Sequence, residues 1–247
     1  ISDELAKAFS KINCSLQIGL QSASEEVLKT VNRTFNKKDF IKKISILNNY
    51  GIIFGFDLIY GLPKDNYEGF KNSIDFAISL YPNHIELFCL SVLPGTSLYD
   101  DANKLSLKYN THPPYHVIEN DTFSKVEIEK ARKISIACNL FYSQGRAVPW
   151  FNSLMHLLKM KPSNFFEKFV LFLEDKKLLD KEICNHKQIE KLQIEFVNNI
   201  LKQKNFEKYY LLIKNLIELN GALSRSYSDG ENTELSLSYH PDDLMSE

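Results

Sequence analysis

The sequence predicts an α/β fold, in which parallel strands alternate with helices, joined to a region that is helical throughout. The prediction rests on three apolar strands, each followed by a helical pattern of apolar residues, at residues 15–22, 52–60 and 84–91. The connections between them are long enough for right-handed crossovers between parallel strands. From Ser124 onward the spacing of apolar residues is helical.

Each of the three strands ends in polar or turn-forming residues. These are Gln21-Ser22 after the first strand, Gly61-Leu62-Pro63 after the second and Pro94-Gly95-Thr96 after the third. The second strand also carries Asp57 in an otherwise apolar run. Because the carboxyl ends of parallel strands line the ligand crevice of α/β sheets and barrels, we expect one shared site at this edge.

Short capping signals predict where the helices of the first half begin. Ser2 or Asp3 caps a first helix, and Ser22 or Ser24 caps the helix after the first strand. Amphipathic patterns predict two longer helices over residues 37–50 and 67–80. Gly51 supplies the C-cap of the former.

The pattern after the third strand predicts helices, interrupted by one extended break. A helix is expected over residues 97–107, and a break over 111–115, where two prolines follow one another. Ser124 and Glu127 form a capping box that opens a helix to about residue 142. Further helices are expected at 151–158, 163–174, 187–202 and 206–219, with Gly221 ending the last. Residues 235–239 alternate and predict a short strand.

The composition excludes several classes of protein. The 247 residues are 44% hydrophobic and 25% charged, with a formal net charge of -1, as in an ordinary globular protein. This balance gives no reason to expect a nucleic acid partner. No apolar run approaches the roughly 18–20 residues that span a bilayer, so we expect no membrane partner.

The cysteines and histidines show no metal-binding spacing. Cys14, Cys89, Cys138 and Cys184 lie far apart, without a Cys-x2-Cys pair, and no two of the six histidines have the spacing of a metal pair on one helical face. We therefore expect no metal site in this chain. Free, scattered cysteines also favour a reducing, cytoplasmic location.

Gln21, Asp57 and Arg33 are the candidate binding residues. Gln and Asp side chains at adjacent strand ends can bind hydroxyls and amines, and an Asp can hold a ribose by its two oxygens. The guanidinium fork of Arg33 suits a carboxylate. Alternatively, Gln21 caps a loop, Arg33 is a surface charge and Asp57 pairs with a loop amide. Their shared position at strand ends favours a site.

At these residues the chain resembles the second half of a radical S-adenosylmethionine (SAM) barrel. Residues 55–63 are especially similar to the oxygen-independent coproporphyrinogen oxidases and to the branch of proteins with a cobalamin-binding domain before the barrel. The resemblance is carried by residues 17–22 with Val31-Asn32-Arg33, by 55–63 and by 93–99. The rest is similar, more weakly, to an uncharacterised helical extension of that branch. This second match rests on residues 112–115, 122–124 and 239–243.

The resemblance implies a set of SAM-binding residues and leaves the catalytic residues unknown. Gln21 and Arg33 would bind the methionyl part, Asp57 would lie near the ribose or methionine, and the loop from Gly61 to Pro63 near the adenine. The full set is Gln21, Ser22, Arg33, Asp57, Gly61 and Pro63.

The three clustered cysteines that hold the [4Fe–4S] cluster of the family, in the pattern Cys-x3-Cys-x2-Cys, are absent from this sequence. With Ile1 in place of a methionine, the resemblance implies a C-terminal piece of a longer iron–sulfur, SAM-cleaving enzyme. Residues 1–100 would be half of the barrel and 101–247 an all-helical extension. The cluster, and a cobalamin for methyl transfer, would belong to the parent protein.

The expected partner of this chain is the missing N-terminal half of the barrel, and the substrate is an unknown small molecule or peptide. By itself the chain would be inactive. Two alternatives stay open: an unrelated α/β barrel enzyme using acid–base or metal chemistry, and a non-catalytic split-gene module for binding or assembly.

Overall fold

The computed structural model describes residues 1–12, 14–181, 183 and 185–245. Cys184 therefore lies outside the described residues. The helices are α1 Asp3–Phe9, α2 Glu25–Thr30, α3 Lys37–Asn49, α4 Tyr67–Ile78, α5 Ser97–Asp100, α6 Lys125–Cys138, α7 Val148–Leu158, α8 Pro162–Asp175, α9 His186–Gln203, α10 Tyr210–Asp229 and α11 Pro241–Met245. The strands are β1 Ser15–Gln21, β2 Ile53–Tyr60, β3 His84–Cys89, β4 Lys108–Tyr109 and β5 Val117–Glu119. A π-helix, Asn139–Gln144, continues α6, and a 3-10 turn, Glu207–Tyr209, precedes α10.

Side-chain caps start the helices of the first half. Ser2 and Ser24 accept hydrogen bonds from the backbone amides three residues on, which confirms both predicted caps. Asn36 and Asn66 do the same for α3 and α4. The capping box at α6 is confirmed, because the backbone amide of Ser124 donates to Glu127 Oε2 at 2.8 Å.

The three predicted strands form one parallel sheet in the order β1-β2-β3. β2 is central, and in the described part of the chain β1 and β3 are the two edges. This parallel α/β arrangement, followed by a helical region, confirms the predicted fold class of a partial barrel with a helical C-terminal part.

The two faces of the sheet differ in burial. Phe54, Phe56 and Leu58 of β2 are fully buried on the face that we call the helix face. On the opposite face, which we call the open face, Ile53 is 50% exposed and Phe88 of β3 is 46% exposed. In the register of the sheet Leu16 and Ile18 of β1 lie beside Phe54 and Phe56, so they also belong to the helix face.

The segment after β3 departs from the predicted helix over residues 97–107. Only Ser97–Asp100 is helical, and turns follow, with Ser106 in the left-handed region at φ 52°. The apolar residues of this segment instead join a cluster around Leu62, Leu90 and Val117. The expected break at 111–115 contains a cis Pro113–Pro114 peptide bond and lies between β4 and β5, an antiparallel pair that the sequence reading missed.

By its internal contacts the chain divides into two compact units, Ile1–Ile136 and Ala137–Glu247. Residues 101–136, including β4 and β5, thus belong to the first unit. This division describes contacts within the chain and does not test the expected domain boundary at residue 100, which stays a prediction.

The core of the second unit is a cluster of fully or nearly fully buried phenylalanines, Phe141, Phe151, Phe165, Phe169 and Phe196. Phe141 makes edge contacts with the other four rings, at centroid distances from 4.9 to 6.1 Å. Such contacts add about 0.5–1.5 kcal/mol to what burial alone contributes.

Two predictions for the C-terminal part were wrong. α10 runs through Gly221 to Asp229, and Gly230, at φ 66°, forms its left-handed C-cap. Gly221 is instead a packing position, since a Cβ there would overlap the Glu190 carboxylate. The predicted strand at residues 235–239 is irregular chain.

No helix in the described part of the chain is long and apolar enough to cross a bilayer.

Gln193 of α9 holds the π-helix in place. Its side-chain amide is buried and donates to the carbonyl oxygens of Phe141 at 2.8 Å and Gly145 at 3.0 Å. A π-helix leaves carbonyls displaced from α-helical partners, and a buried carbonyl without a donor is costly.

We therefore expect Gln193→Leu to lower the free energy of unfolding by about 1–3 kcal/mol, the cost of stranding buried carbonyls. Urea denaturation followed by circular dichroism measures it. Gln188→Leu, at an exposed position of the same helix, is the matched control and should change stability by less than about 0.5 kcal/mol. Equal effects of the two substitutions would contradict this role.

His186, the first residue of α9, sits among cationic side chains. Its Nδ1 is 2.9 Å from Arg225 Nη1, which also donates to Glu190 Oε2 at 2.8 Å. Burial, reinforced by Arg146 and Arg225, lowers the pKa of His186 to about 4. The unfolded chain therefore binds a proton near pH 6.5 that the folded chain excludes.

The contribution of His186 to stability is complete above pH 6.5 and is lost as the pH falls towards 4. Between pH 7 and 4.5 we expect the free energy of unfolding of the wild-type chain to fall by about 1–2 kcal/mol more than that of His186→Gln. This is less than the full pKa difference would give, because the ring is only half-buried and solvent screens its charge. Gln keeps an acceptor for Arg225 but does not titrate, and Glu190, whose own pKa burial raises, is common to both chains. Parallel urea-denaturation profiles of stability against pH would disprove the linkage.

Candidate functional site

The carboxyl end of β1 is distorted in a way that turns Gln21 towards the rim of the sheet. The register with β2 shifts between Gly19 and Gln21, and Gln21 has φ 65°. A positive φ in a non-glycine residue costs free energy and often marks a functional position. The half-buried Gln21 side chain returns over Gly19, where a Cβ would lie 2.8 Å from Gln21 Nε2.

Arg33 reaches the same place from the loop after α2. Its Nη1 donates to the carbonyl oxygen of Gly19 at 3.0 Å, and a Cβ at Gly19 would be 3.4 Å from this nitrogen. The guanidinium and the Gln21 amide therefore share the space that Gly19 leaves free. Arg33 is exposed, and its remaining N–H groups are available to a ligand.

Asp57 lies directly beside Gly19, because the two residues are partners in the β1–β2 register. The carboxylate is half-buried on the open face, and its Oδ1 accepts a hydrogen bond from Gln17 Nε2. Gln21, Arg33 and Asp57 thus surround one glycine at the carboxyl-terminal rim. Together they present a cation, a carboxylate and an amide that can both donate and accept.

A cavity of about 180 Å³ adjoins this rim. Its lining combines residues of β1, β2, the α2 loop and the segment after β3: Gln21, Thr30, Val31, Asn32, Arg33, Ile59, Leu62, Leu90, Ser97, Leu98, Asp101 and Leu105. Small-molecule sites usually measure about 300–1,000 Å³, so these residues enclose only part of a nucleoside-sized ligand.

Of the predicted residues, Gln21 and Arg33 line this cavity. Asp57 lies outside it, on the open face of the sheet beside Gly19. Ser22, Gly61 and Pro63 do not line it either. Ser22 is fully buried, and its hydroxyl accepts from the amide of Ser24 at 3.2 Å. Gly61, at φ 83°, packs where a Cβ would overlap the Val117 side chain, and Pro63 is buried with its carbonyl facing Thr30 Oγ1 at 3.3 Å. Each has a structural role, and a role in cofactor binding stays a prediction.

The described residues do not fit an iron–sulfur cluster. Cys89 Sγ lies 3.6 Å from the carbonyl of Val117, and burial raises its pKa to about 11. Cys138 is fully buried, which also raises its thiol pKa. Among residues 1–12, 14–181, 183 and 185–245, no three His, Cys, Asp or Glu side chains are grouped for a metal.

The sequence reading missed three polar residues near these strands. Gln17 and His84 lie on the open face with Asp57. The sequence could have indicated them, because each is a polar residue in an apolar strand, and the alternation of side chains places it on one face of the sheet. Asp65, in the loop after β2, is buried, which raises its pKa to about 6. Its Oδ1 accepts from the amide of Asn66 at 2.9 Å.

Two family models match the chain. Residues 1–77 match the radical SAM superfamily, and residues 103–232, which are more than half of the 247, match the family described as protein of unknown function (DUF4080). The first match covers all the residues of the rim that were predicted to bind a cofactor.

Curated relatives match parts of the chain. The chain is 27% identical over 135 residues to the heme chaperone HemW of Buchnera aphidicola subsp. Schizaphis graminum, covering 55% of this chain and 35% of the relative. It is 30% identical over 108 residues to a tRNA-2-methylthio-N(6)-dimethylallyladenosine synthase of Finegoldia magna, covering 41% and 23%. The matched region thus spans about a third of the length of the first relative and about a quarter of the second. The solved coproporphyrinogen III oxidase of Escherichia coli, a radical SAM enzyme, aligns with a TM-score of 0.36 and 18% identity, over 54% of this chain and 36% of that chain.

A methyl group at Gly19 should separate the rim side chains. We expect Gly19→Ala to displace the Gln21 amide and the Arg33 guanidinium, because the added Cβ would lie 2.8 Å from Gln21 Nε2. Both ends are flexible, so the free energy of unfolding should fall by less than about 1 kcal/mol. NMR shifts of the Arg33 guanidinium and the Gln21 amide report the displacement. Ser15→Ala, on the same face of β1, is the control, and unchanged shifts in Gly19→Ala would contradict the shared space.

Proposed function

Because the chain belongs to the family described as protein of unknown function DUF4080 and carries a radical SAM superfamily domain in its N-terminal part, we propose that it is the SAM-binding carboxyl-terminal half of a radical SAM barrel. It would act in an enzyme whose cysteine-bearing half is supplied by another segment or chain. The observation that supports this best is the meeting of Gln21, Arg33 and Asp57 around Gly19.

The three side chains match the groups that SAM presents. The Arg33 fork can pair with the methionyl carboxylate, and the Asp57 carboxylate can accept hydrogen bonds from ribose hydroxyls. Gln21 can donate to the carboxylate or accept from the ammonium. Their role would be to bind and orient SAM at the rim, while Gly19 lets the Gln21 amide and the Arg33 guanidinium lie close together against the sheet.

In a radical SAM barrel, bound SAM would supply the radical when an iron–sulfur cluster reduces it. The described residues of this chain do not hold the cluster, so its cysteines would come from the other half of the barrel. The open face supports such a partner, because Ile53 and Phe88 expose about half of their apolar surface there. β1, as an edge strand, also offers unpaired backbone groups to a further strand.

Two of the curated relatives carry unlike names, a heme chaperone and a tRNA-2-methylthio-N(6)-dimethylallyladenosine synthase, so their names select no substrate class for this chain. Cobalamin-dependent methyl transfer, expected from the resemblance to one branch, has no support in these matches.

Asp57→Ala should weaken the binding of SAM by about 1–3 kcal/mol, the cost of leaving hydrogen-bonding groups of the ligand without a partner. Arg33→Met should weaken it by a similar amount through the loss of the carboxylate pair. Ligand-observed NMR titration of SAM with the 247-residue chain measures both effects.

Glu86→Gln is the matched control, because Glu86 is the register neighbour of Asp57 on β3 and carries the same charge. It should leave the affinity for SAM within about twofold of the wild type. A chain that binds no SAM, or equal losses in Asp57→Ala and Glu86→Gln, would contradict the proposed function.

A further inference from the structure

Three polar side chains, one from each strand, form a continuous row on the open face. Gln17 of β1 and His84 of β3 are both register partners of Gly55 on β2, and Asp57 follows two residues along β2. Gln17 lies between the other two: its Nε2 donates to Asp57 Oδ1, and its Oε1 is 2.5 Å from His84 Nε2.

The direction of these hydrogen bonds is determined by Asp57. An ionised carboxylate only accepts, so Gln17 must turn its NH2 group towards Asp57 and its carbonyl oxygen towards His84. His84 Nε2 must then carry a hydrogen in order to donate to that oxygen. If Gln17 turned over, two acceptor oxygens would face each other.

Gly55 makes this row possible. A Cβ at Gly55 would overlap the imidazole of His84, so the ring lies across β2 in the space that a side chain would fill. This places His84 of β3 within hydrogen-bonding distance of Gln17 of β1, although β2 lies between these two strands in the sheet. The contact between His84 and Gln17 therefore depends on Gly55, which has no side chain.

We propose that Gln17 and His84 are positioning residues for Asp57, which hold its Oδ1 so that the rest of the carboxylate is presented to the ligand beside Gly19. The inference rests on the proposed function in one respect, that the ligand is SAM. Gly19 is the register partner of Asp57, and the Gln21 amide and the Arg33 guanidinium fill the space over this glycine, so both lie beside the Asp57 carboxylate. Neither Gln17 nor His84 needs to touch the ligand.

Removing either link should weaken SAM binding without removing the carboxylate. Gln17→Leu keeps the bulk of the side chain but loses both hydrogen bonds, and His84→Phe keeps a ring over Gly55 but loses the donor. We expect each to lower the affinity for SAM about threefold to tenfold, less than Asp57→Ala. Glu86→Gln, on the same face and outside the row, is the control and should stay within about twofold.

An exchanged pair separates positioning from mere stability. The double variant that combines Gln17→Glu with Asp57→Asn keeps an amide in contact with a carboxylate, but exchanges their strands: the carboxylate is now on β1 and the amide on β2. The carboxylate introduced on β1 can accept from both the amide introduced on β2 and the ring of His84. Its urea-denaturation midpoint should equal that of the wild type, while SAM affinity should fall as far as in Asp57→Ala. If the double variant has both the stability and the SAM affinity of the wild type, the proposal is wrong, because the location of the carboxylate would then be unimportant.

NMR of the free chain tests the row without SAM. Long-range ¹H–¹⁵N spectra at neutral pH should show His84 with its hydrogen on Nε2, and Asp57→Asn should relax this preference because Gln17 is then free to turn. A hydrogen on Nδ1 alone in the wild type would overturn the inference and leave the proposed function intact. Conversely, a chain that shows the row but binds no SAM would contradict only the proposed function.

Discussion

The alternation of side chains along β2 is the constraint on which the rest of the first unit depends. Because successive residues of a strand face opposite sides, Phe54, Phe56 and Leu58 are buried on the helix face. Burial of each stabilises the unit by about 1.5–3 kcal/mol. The same alternation leaves Gly55 and Asp57 on the open face, and a slip of one residue would bury the carboxylate. The position of Asp57 is thus a consequence of where the phenylalanines must go.

Glycine at a packing position serves a similar purpose in both units, by letting a polar side chain approach the backbone. Gly55 admits the imidazole of His84, and Gly221 of α10 admits the carboxylate of Glu190. Glu190 in turn accepts from the buried Arg225, so this glycine allows an ion pair inside a helical packing interface. A side chain in either place would leave a polar group without its partner, which costs more than the packing it adds.

Local signals predicted most of the first unit. Apolar runs located the three strands, and Ser2, Ser24 and the Ser124–Glu127 capping box located helix starts within a residue or two. Signals that depend on distant contacts failed. The apolar residues after Ser97 have a helical spacing but pack in a tertiary cluster, and Gly221 resembles a helix end only when Glu190 is ignored. Asp57, Gln21 and Arg33 could be singled out by their types and positions, whereas Gln17 and His84 gain meaning only from the register that joins them through Gly55.

The rim and the segment after β3 contribute differently to the cavity. Gln21 and Arg33 supply its polar hydrogen-bonding groups, while Leu98 and Leu105 supply apolar walls from a segment held by tertiary packing rather than by regular structure. Irregular segments change shape and length more readily than strands, and binding specificity is often located in them. Gln21 at the end of β1, and Arg33 bonded to the carbonyl oxygen of Gly19, would therefore suit a ligand part that stays constant, and the segment after β3 would suit a part that varies. At about 180 Å³ the cavity is smaller than most small-molecule sites, so a ligand of ordinary size would also contact surfaces beyond the residues that line it.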